Sequence, residues 1–238
     1  MFSATKKKVQ ALPPLHRDLV LERTLGYAQL PHDWEYLLAS IAQHQAVTGG
    51  KRKYALPGPF LAVALPLLRV ILADARPEAP VALLVDDRLD LVFGPGMPLP
   101  DHHHRRGIKI AWMVQIPIQA EARLRDGSRL RIRIVRRTRR LTWRQRGSVS
   151  HKTKFKSKDK AYHLLQVALR LPRGVEPVRP PTPSPNWLSV AVNPGDRYEI
   201  RADTKTTGDE MPSVNLILHV LTEAFRWSPT ARATAVPR

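Results

Sequence analysis

The sequence contains no cysteine, which excludes disulfides, thiolate catalysis and every cysteine-containing zinc motif. A reducing compartment suits such a chain, so a cytoplasmic protein is expected, with a core that needs neither disulfide nor metal. An apolar run of about 20 residues, the length that spans a bilayer, is also missing. The best candidate, Tyr54 to Leu68, is interrupted by Pro57, Pro59 and Pro66 and followed by Arg69. It reads as a buried core helix, and no membrane partner is expected. Met1 to Gln10 is basic but is not followed by a signal-type apolar stretch; Lys6, Lys7 and Lys8 read as an arm. No glycine loop followed by Lys and Ser or Thr, and no dinucleotide fingerprint, is present. No cofactor is therefore expected, and there is no internal repeat.

Acidic residues are scarce. The 238 residues hold 20 Asp plus Glu against 39 Lys plus Arg, a formal net charge of +19. The excess is concentrated between Arg123 and Lys160, where 16 Lys or Arg face two acids, Asp126 and Asp159. Such clustering is the electrostatic footprint of a phosphate-binding surface.

Apolar periodicity places the elements. Trp34, Leu37, Leu38 and Ile41 predict a helix from Pro31 to Val47, closed by Gly49 and Gly50, and a shorter helix is expected from Leu15 to Leu25. Another apolar segment runs from Pro59 to Asp74, kinked or divided at Pro66. Val81 to Val85 and Leu89 to Phe93 read as short strands, and Gly94 to Gly107 as a surface loop. Ile108, Ile110, Trp112, Val114, Ile116, Ile118, Ala120, Ala122 and Leu124 are even-numbered, while Lys109, Gln115, Gln119, Glu121 and Arg123 are odd. Alternation of this kind separates a core face from a polar face.

The return strand keeps the parity, with Leu130, Ile132 and Ile134 even and Arg129, Arg131 and Arg133 odd. Consistent faces then require a three-residue loop of Arg125, Asp126 and Gly127, pairing Ala122 with Leu130, Ala120 with Ile132, Glu121 with Arg131 and Gln119 with Arg133. Parity breaks after Val135, because Leu141 and Trp143 are odd, which predicts a bulge or an end of pairing near Val135 and Arg136. Gly147 to Ser157 reads as a basic loop, with Lys residues at every second position from Lys152 to Lys160. A helix from Lys158 to Leu171 is expected to follow, packed through Ala161, Leu164, Leu165 and Ala168. Trp187 to Val192 and Arg197 to Ala202 form a second hairpin, and Ser213 caps a last helix to Trp227.

The fold class is α+β, with antiparallel hairpins between N- and C-terminal helices, for which a ferredoxin-like core is one arrangement. Residues 1–107 form a mainly helical portion with a short hairpin, 108–175 a basic hairpin, loop and helix, 176–186 a proline-rich linker or excursion, and 187–238 a hairpin and helix on the same core.

The expected function is noncatalytic binding of nucleic acid, RNA or single-stranded DNA first, within a nucleoprotein complex that has other protein subunits. The cations assigned to phosphate are Lys109, Arg123, Arg129, Arg131, Arg133, Arg137, Arg139, Arg140, Arg144, Lys152, Lys154, Lys156 and Lys158. Trp143 and Phe155 lie among them, where rings stack on unpaired bases; Trp112 is assigned to the core. One alternative is a metal-dependent nuclease using Asp90 and Glu121 with Asp86 and Asp87, a pattern in which Arg123 stands where a Lys is expected. A weaker acidic set comprises Asp196, Glu199 and Asp203 beside Lys205. His102, His103 and His104 read as a solvated loop, since adjacent histidines lack the i, i+4 spacing of a helical metal site. A third reading is a structural protein whose cationic surface meets an acidic partner.

Overall fold

A computed structural model describes residues 4–88, 108–146 and 153–229. Seven strands form one antiparallel sheet in the order β1-β2-β3-β4-β5-β7-β6: β1 Thr24–Gln29, β2 Val81–Asp86, β3 Ile108–Arg123, β4 Arg129–Arg146, β5 Thr153–Arg170, β6 Ser189–Asn193 and β7 Glu199–Thr207. The first five run as neighbours in chain order. This is a larger sheet than the β-α-β-β-α-β unit of a ferredoxin-like core.

The helices are α1 Ala4–Gln10, α2 Pro14–Leu21, α3 Pro31–Ala42, α4 His44–Thr48, α5 Leu65–Asp74 and α6 Val214–Phe225. The helix expected from Pro31 is divided at Gln43, and Gly49 closes α4 in the left-handed region. Leu25 belongs to β1 rather than to the helix expected from Leu15. Pro66, which lacks an N–H, sits in the first turn of α5, and the chain before it bulges into a π-helical turn, Phe60–Ala64, where Leu65 N bonds back to Phe60 O. Ser213 caps α6 by accepting from Leu216 N at 3.3 Å.

One sheet face is covered by helices. Ile118, Ile132, Ile134, Leu165, Val167 and Ile200 are fully buried or nearly so and join Trp34, Leu67, Leu68, Ile217 and Val220 in a single apolar cluster. Trp34 donates its indole N–H to Val81 O at 2.8 Å, tying α3 to β2. The proline-rich segment follows α6: Val178 N donates to Trp227 O at 2.8 Å and Arg226 Nη2 to Thr182 O at 2.9 Å.

The first long hairpin has the register that parity required, including Glu121 opposite Arg131 and Ala122 opposite Leu130. Its loop is Arg125, Asp126 and Gly127, with Leu124 N on Ser128 O at 2.9 Å and Gly127 at φ +90°. Asp126 Oδ1 accepts from Ser128 N at 2.8 Å.

Two sequence expectations are corrected. The bulge lies in β3, where Ile116 and Pro117 together oppose Val135, and pairing continues beyond it to Ile108 opposite Trp143. Proline has no ladder hydrogen bond to lose at a bulge. The segment expected as a helix from Lys158 to Leu171 is β5, paired along its whole length with β4, and Thr153 to Ser157, read as loop, belong to the same strand. His163, Leu165, Val167 and Leu169 alternate inward with a period of two.

β4 and β5 have 18 residues each, roughly 60 Å at the strand rise. β2 pairs β3 only from Ile118 to Glu121, and β7 pairs β5 only from Tyr162 to Arg170. β3, β4 and β5 therefore run on past their neighbours as a three-stranded arm. Among the described residues, no helix of the chain is long and apolar enough to cross a membrane.

Candidate nucleic-acid interface

The sheet face opposite the helices carries the odd-numbered residues of β4, whose pairing with β5 continues without a register shift. Arg129, Arg131, Arg133, Arg137 and Arg139 therefore project from one side, about 6.6 Å apart at alternate positions except for a double step from Arg133 to Arg137 across Val135, followed by Leu141 and Trp143. Arg123 lies opposite Arg129 and shares that face. So do Lys156, opposite Trp143, Lys158, opposite Leu141, Lys160, opposite Arg139, and Lys154, opposite Gln145. Among the described residues, no helix covers this side.

The two faces of β4 differ in how their charge is compensated. On the helix side, Arg136 reaches Asp209 at 3.1 Å, and Arg140 makes a two-bond pair with Asp159 at 2.8 and 2.7 Å, which holds the Asp159 carboxyl below its ordinary range. On the open side, among the described residues, none of Arg123, Arg129, Arg131, Arg133, Arg137 and Arg139 has a carboxylate within ion-pair distance. Glu121, opposite Arg131, instead accepts from Gln119 at 3.1 Å. Uncompensated like charges at alternate strand positions repel, and a polyanion relieves that repulsion while supplying acceptors for each guanidinium.

The bulge re-aims β3. Cross-strand partners share a face, so Trp112, opposite Arg139, emerges on the open side, where its ring lies 5.9 Å from the Arg139 guanidinium carbon. This corrects its assignment to the core. Val114, expected to be buried, is 51% exposed, whereas odd-numbered Met113 is 7% exposed. Lys109, opposite Thr142, lies on the other face of the arm and does not share the surface of Arg129, Arg131 and Arg133. Arg144 and Phe155, opposite each other with the guanidinium 5.3 Å from the ring centre, are also on that far face, as is Arg140. Lys152 lies outside the described residues.

Several open-face residues escaped the sequence reading. Arg170 of β5 lies opposite Arg129 of β4, and Arg201 of β7 opposite Ala168 of β5; these neighbours are brought together only in the folded sheet. Tyr162, opposite Arg137, is covered by Lys205 Nζ at 4.3 Å from its ring centre. Two adjoining hollows of about 460 and 240 Å³ indent the face beside Arg131 and Ala168. Asp203 borders the smaller; burial raises its pKa against the pull of Arg201, 3.8 Å away.

The acidic sets are dispersed. Asp86 is held by Arg88 through bonds of 2.9 and 2.7 Å, and Asp87 by Arg23. Glu121 sits opposite Ala82, four residues and about 13 Å along β2 from Asp86. Asp90 and His102, His103 and His104 lie outside the described residues. Asp196 pairs with Arg170, and Glu199 lies opposite Arg170 at the end of β5. Among the described residues, no three His, Asp or Glu side chains gather as a metal site. No protein-family model matches this chain, and no match was found among curated proteins or among solved structures.

Proposed function

We propose that this protein is a noncatalytic binder of single-stranded nucleic acid, RNA first, which lies along β4 on the open sheet face as part of a nucleoprotein assembly. The observation that carries this reading is the asymmetry of β4: Arg136 and Arg140 on its helix side are matched by Asp209 and Asp159, whereas its five open-side arginines have no carboxylate partner among the described residues. Their alternate spacing suits successive phosphates of an extended strand. Trp112 and Trp143, on the same side of the arm, supply faces on which unpaired bases stack, and stacking of this kind tolerates any base. A duplex offers phosphates but no unstacked bases, so the rings favour the unpaired strand.

The test compares two variants of equal net charge. R129Q/R131Q/R133Q removes three open-face cations, and K51Q/R52Q/K53Q removes three from the loop after α4. The first should weaken binding to a single-stranded RNA by about 100-fold or more, at roughly 1 kcal/mol per phosphate contact, and the second far less. Equal losses would mean that net charge, not this face, attracts the ligand.

A further inference from the structure

At the root of the arm, on the helix side, the sheet meets the π-helical turn and the start of α6 around a cavity of about 680 Å³, within the size range of small-molecule sites. Two local irregularities shape it. Pro117 of the β3 bulge and Ala62 and Val63 of the π-helical turn line its apolar part, and both kinds of irregularity recur beside functional sites.

The polar part is a cross-strand row. Gln115 of β3 lies opposite Arg136 of β4, which lies opposite His163 of β5, and all three line the cavity. His163 is 2% exposed, and its Nδ1 is buried without a hydrogen-bond partner among the described residues. Burial first, and then Arg136, lower its pKa against the opposing pull of Asp209, so the ring is neutral at pH 7. Arg136 Nε is likewise buried and unpartnered, while its Nη2 reaches Asp209, whose side chain is 82% exposed. Buried polar atoms left in this state call for a partner. The capped N-terminus of α6 opens on the same space through Ser213 and Val214, where the N–H groups and helix dipole favour negative charge.

We infer that this cavity binds a small organic anion, with a carboxylate or phosphate head on Arg136, His163 and the first turn of α6 and an apolar body against Val63 and Pro117. Of the other carboxylates lining it, Asp86 is matched by Arg88 and Asp87 by Arg23, while Glu210 is exposed, where water screens its charge. Asp209 is the internal carboxylate that the ligand replaces, and an exposed pair of this kind is weak enough to exchange. The site is separate from the open face, since Arg136 and His163 have the helix-side parity of their strands.

Calorimetric titration of the full chain with benzoate, phenyl phosphate and neutral benzyl alcohol tests the inference, with the ring proton signals of His163 followed by NMR. At least one anion should bind one site, shift those signals and bind about tenfold or more tightly than the alcohol, the worth of one charge-assisted hydrogen bond. R136Q and H163N should each weaken that binding about tenfold, and R129Q/R131Q/R133Q should leave it unchanged. Benzoate as the tighter ligand identifies a carboxylate site, and phenyl phosphate a phosphate site. Failure of both anions to bind, equal binding of the alcohol, unmoved His163 signals, or loss of binding in the open-face variant would each overturn the inference. The wild-type comparison decides the matter even if R136Q does not fold.

Discussion

Acidification should remove a defined share of stability through His16. Its ring is fully buried, with Nδ1 2.8 Å from Ser40 Oγ and Nε2 2.9 Å from His44 Nδ1, so it links α2 to α3 and α4. Burial, and secondarily the neighbouring His44, lower its pKa from 6.5 to about 4. Between those values the unfolded chain binds the proton more readily than the folded one. The stabilisation is therefore complete above pH 6.5 and is lost as the pH falls through 4. The separation corresponds to about 3 kcal/mol. His44 and His163, also lowered chiefly by burial, act in the same direction, while Asp74 and Asp203, raised by burial, oppose it. Urea denaturation of the wild type and of His16→Gln over this range isolates the one ring. The stability gap between the two proteins should shrink by about 3 kcal/mol from pH 7 to pH 4. Curves that stay parallel would refute the assignment of a neutral, buried His16.

Two substitutions test how the interface is built. Trp112→Ala should weaken binding to unpaired RNA by about 1–3 kcal/mol, the worth of one stacked base, with little change for duplex. Phe155→Ala, on the far side of the arm, should leave both affinities unchanged; filter binding with the two probes reads each outcome. Gly127→Ala should cost about 1–2 kcal/mol in urea denaturation, because φ there is +90° and an added Cβ would lie 3.3 Å from Arg76 Nη2 and 3.4 Å from Pro172 Cγ. Unchanged stability would show that the loop adopts another backbone geometry.

The register of the first long hairpin was legible because alternation and a glycine turn constrained it together. Only a three-residue loop kept Ala120, Ala122, Leu130 and Ile132 on one side, and that is the pairing found. The same alternation misplaced Trp112. Parity reports which residues are alike, not which side they face, and Ile110, Trp112 and Val114 keep the even numbering of Ile118 and Ala120 across a bulge that turns them outward. Their apolar character on an open face is what made the reversal invisible.

β5 was misread because Leu164, on the open face opposite Val135, completes a helical spacing with Ala161, Leu165 and Ala168. The competing signal was present: lysines at every second, even position from Lys152 to Lys160, and His163, Leu165, Val167 and Leu169 at every second, odd position after them, the two faces of one strand. With β5 read as helix, Arg170 could not be placed opposite Arg129. The uncompensated state of the open-side arginines was also beyond sequence, since it depends on where Asp159 and Asp209 fall relative to the two faces of β4. The cavity at the arm's root depends likewise on the bulge, the π-helical turn and α6 meeting in space.

The most direct test of the open face as a phosphate-binding surface is the salt dependence of wild-type affinity for a single-stranded RNA, measured beside a duplex of the same length. If the six arginines without carboxylate partners each contact a phosphate, the logarithm of the association constant should fall against the logarithm of salt concentration with a slope of about −4, and the unpaired strand should bind more tightly than the duplex. A slope near zero, or no binding to either probe at low salt, would contradict the account.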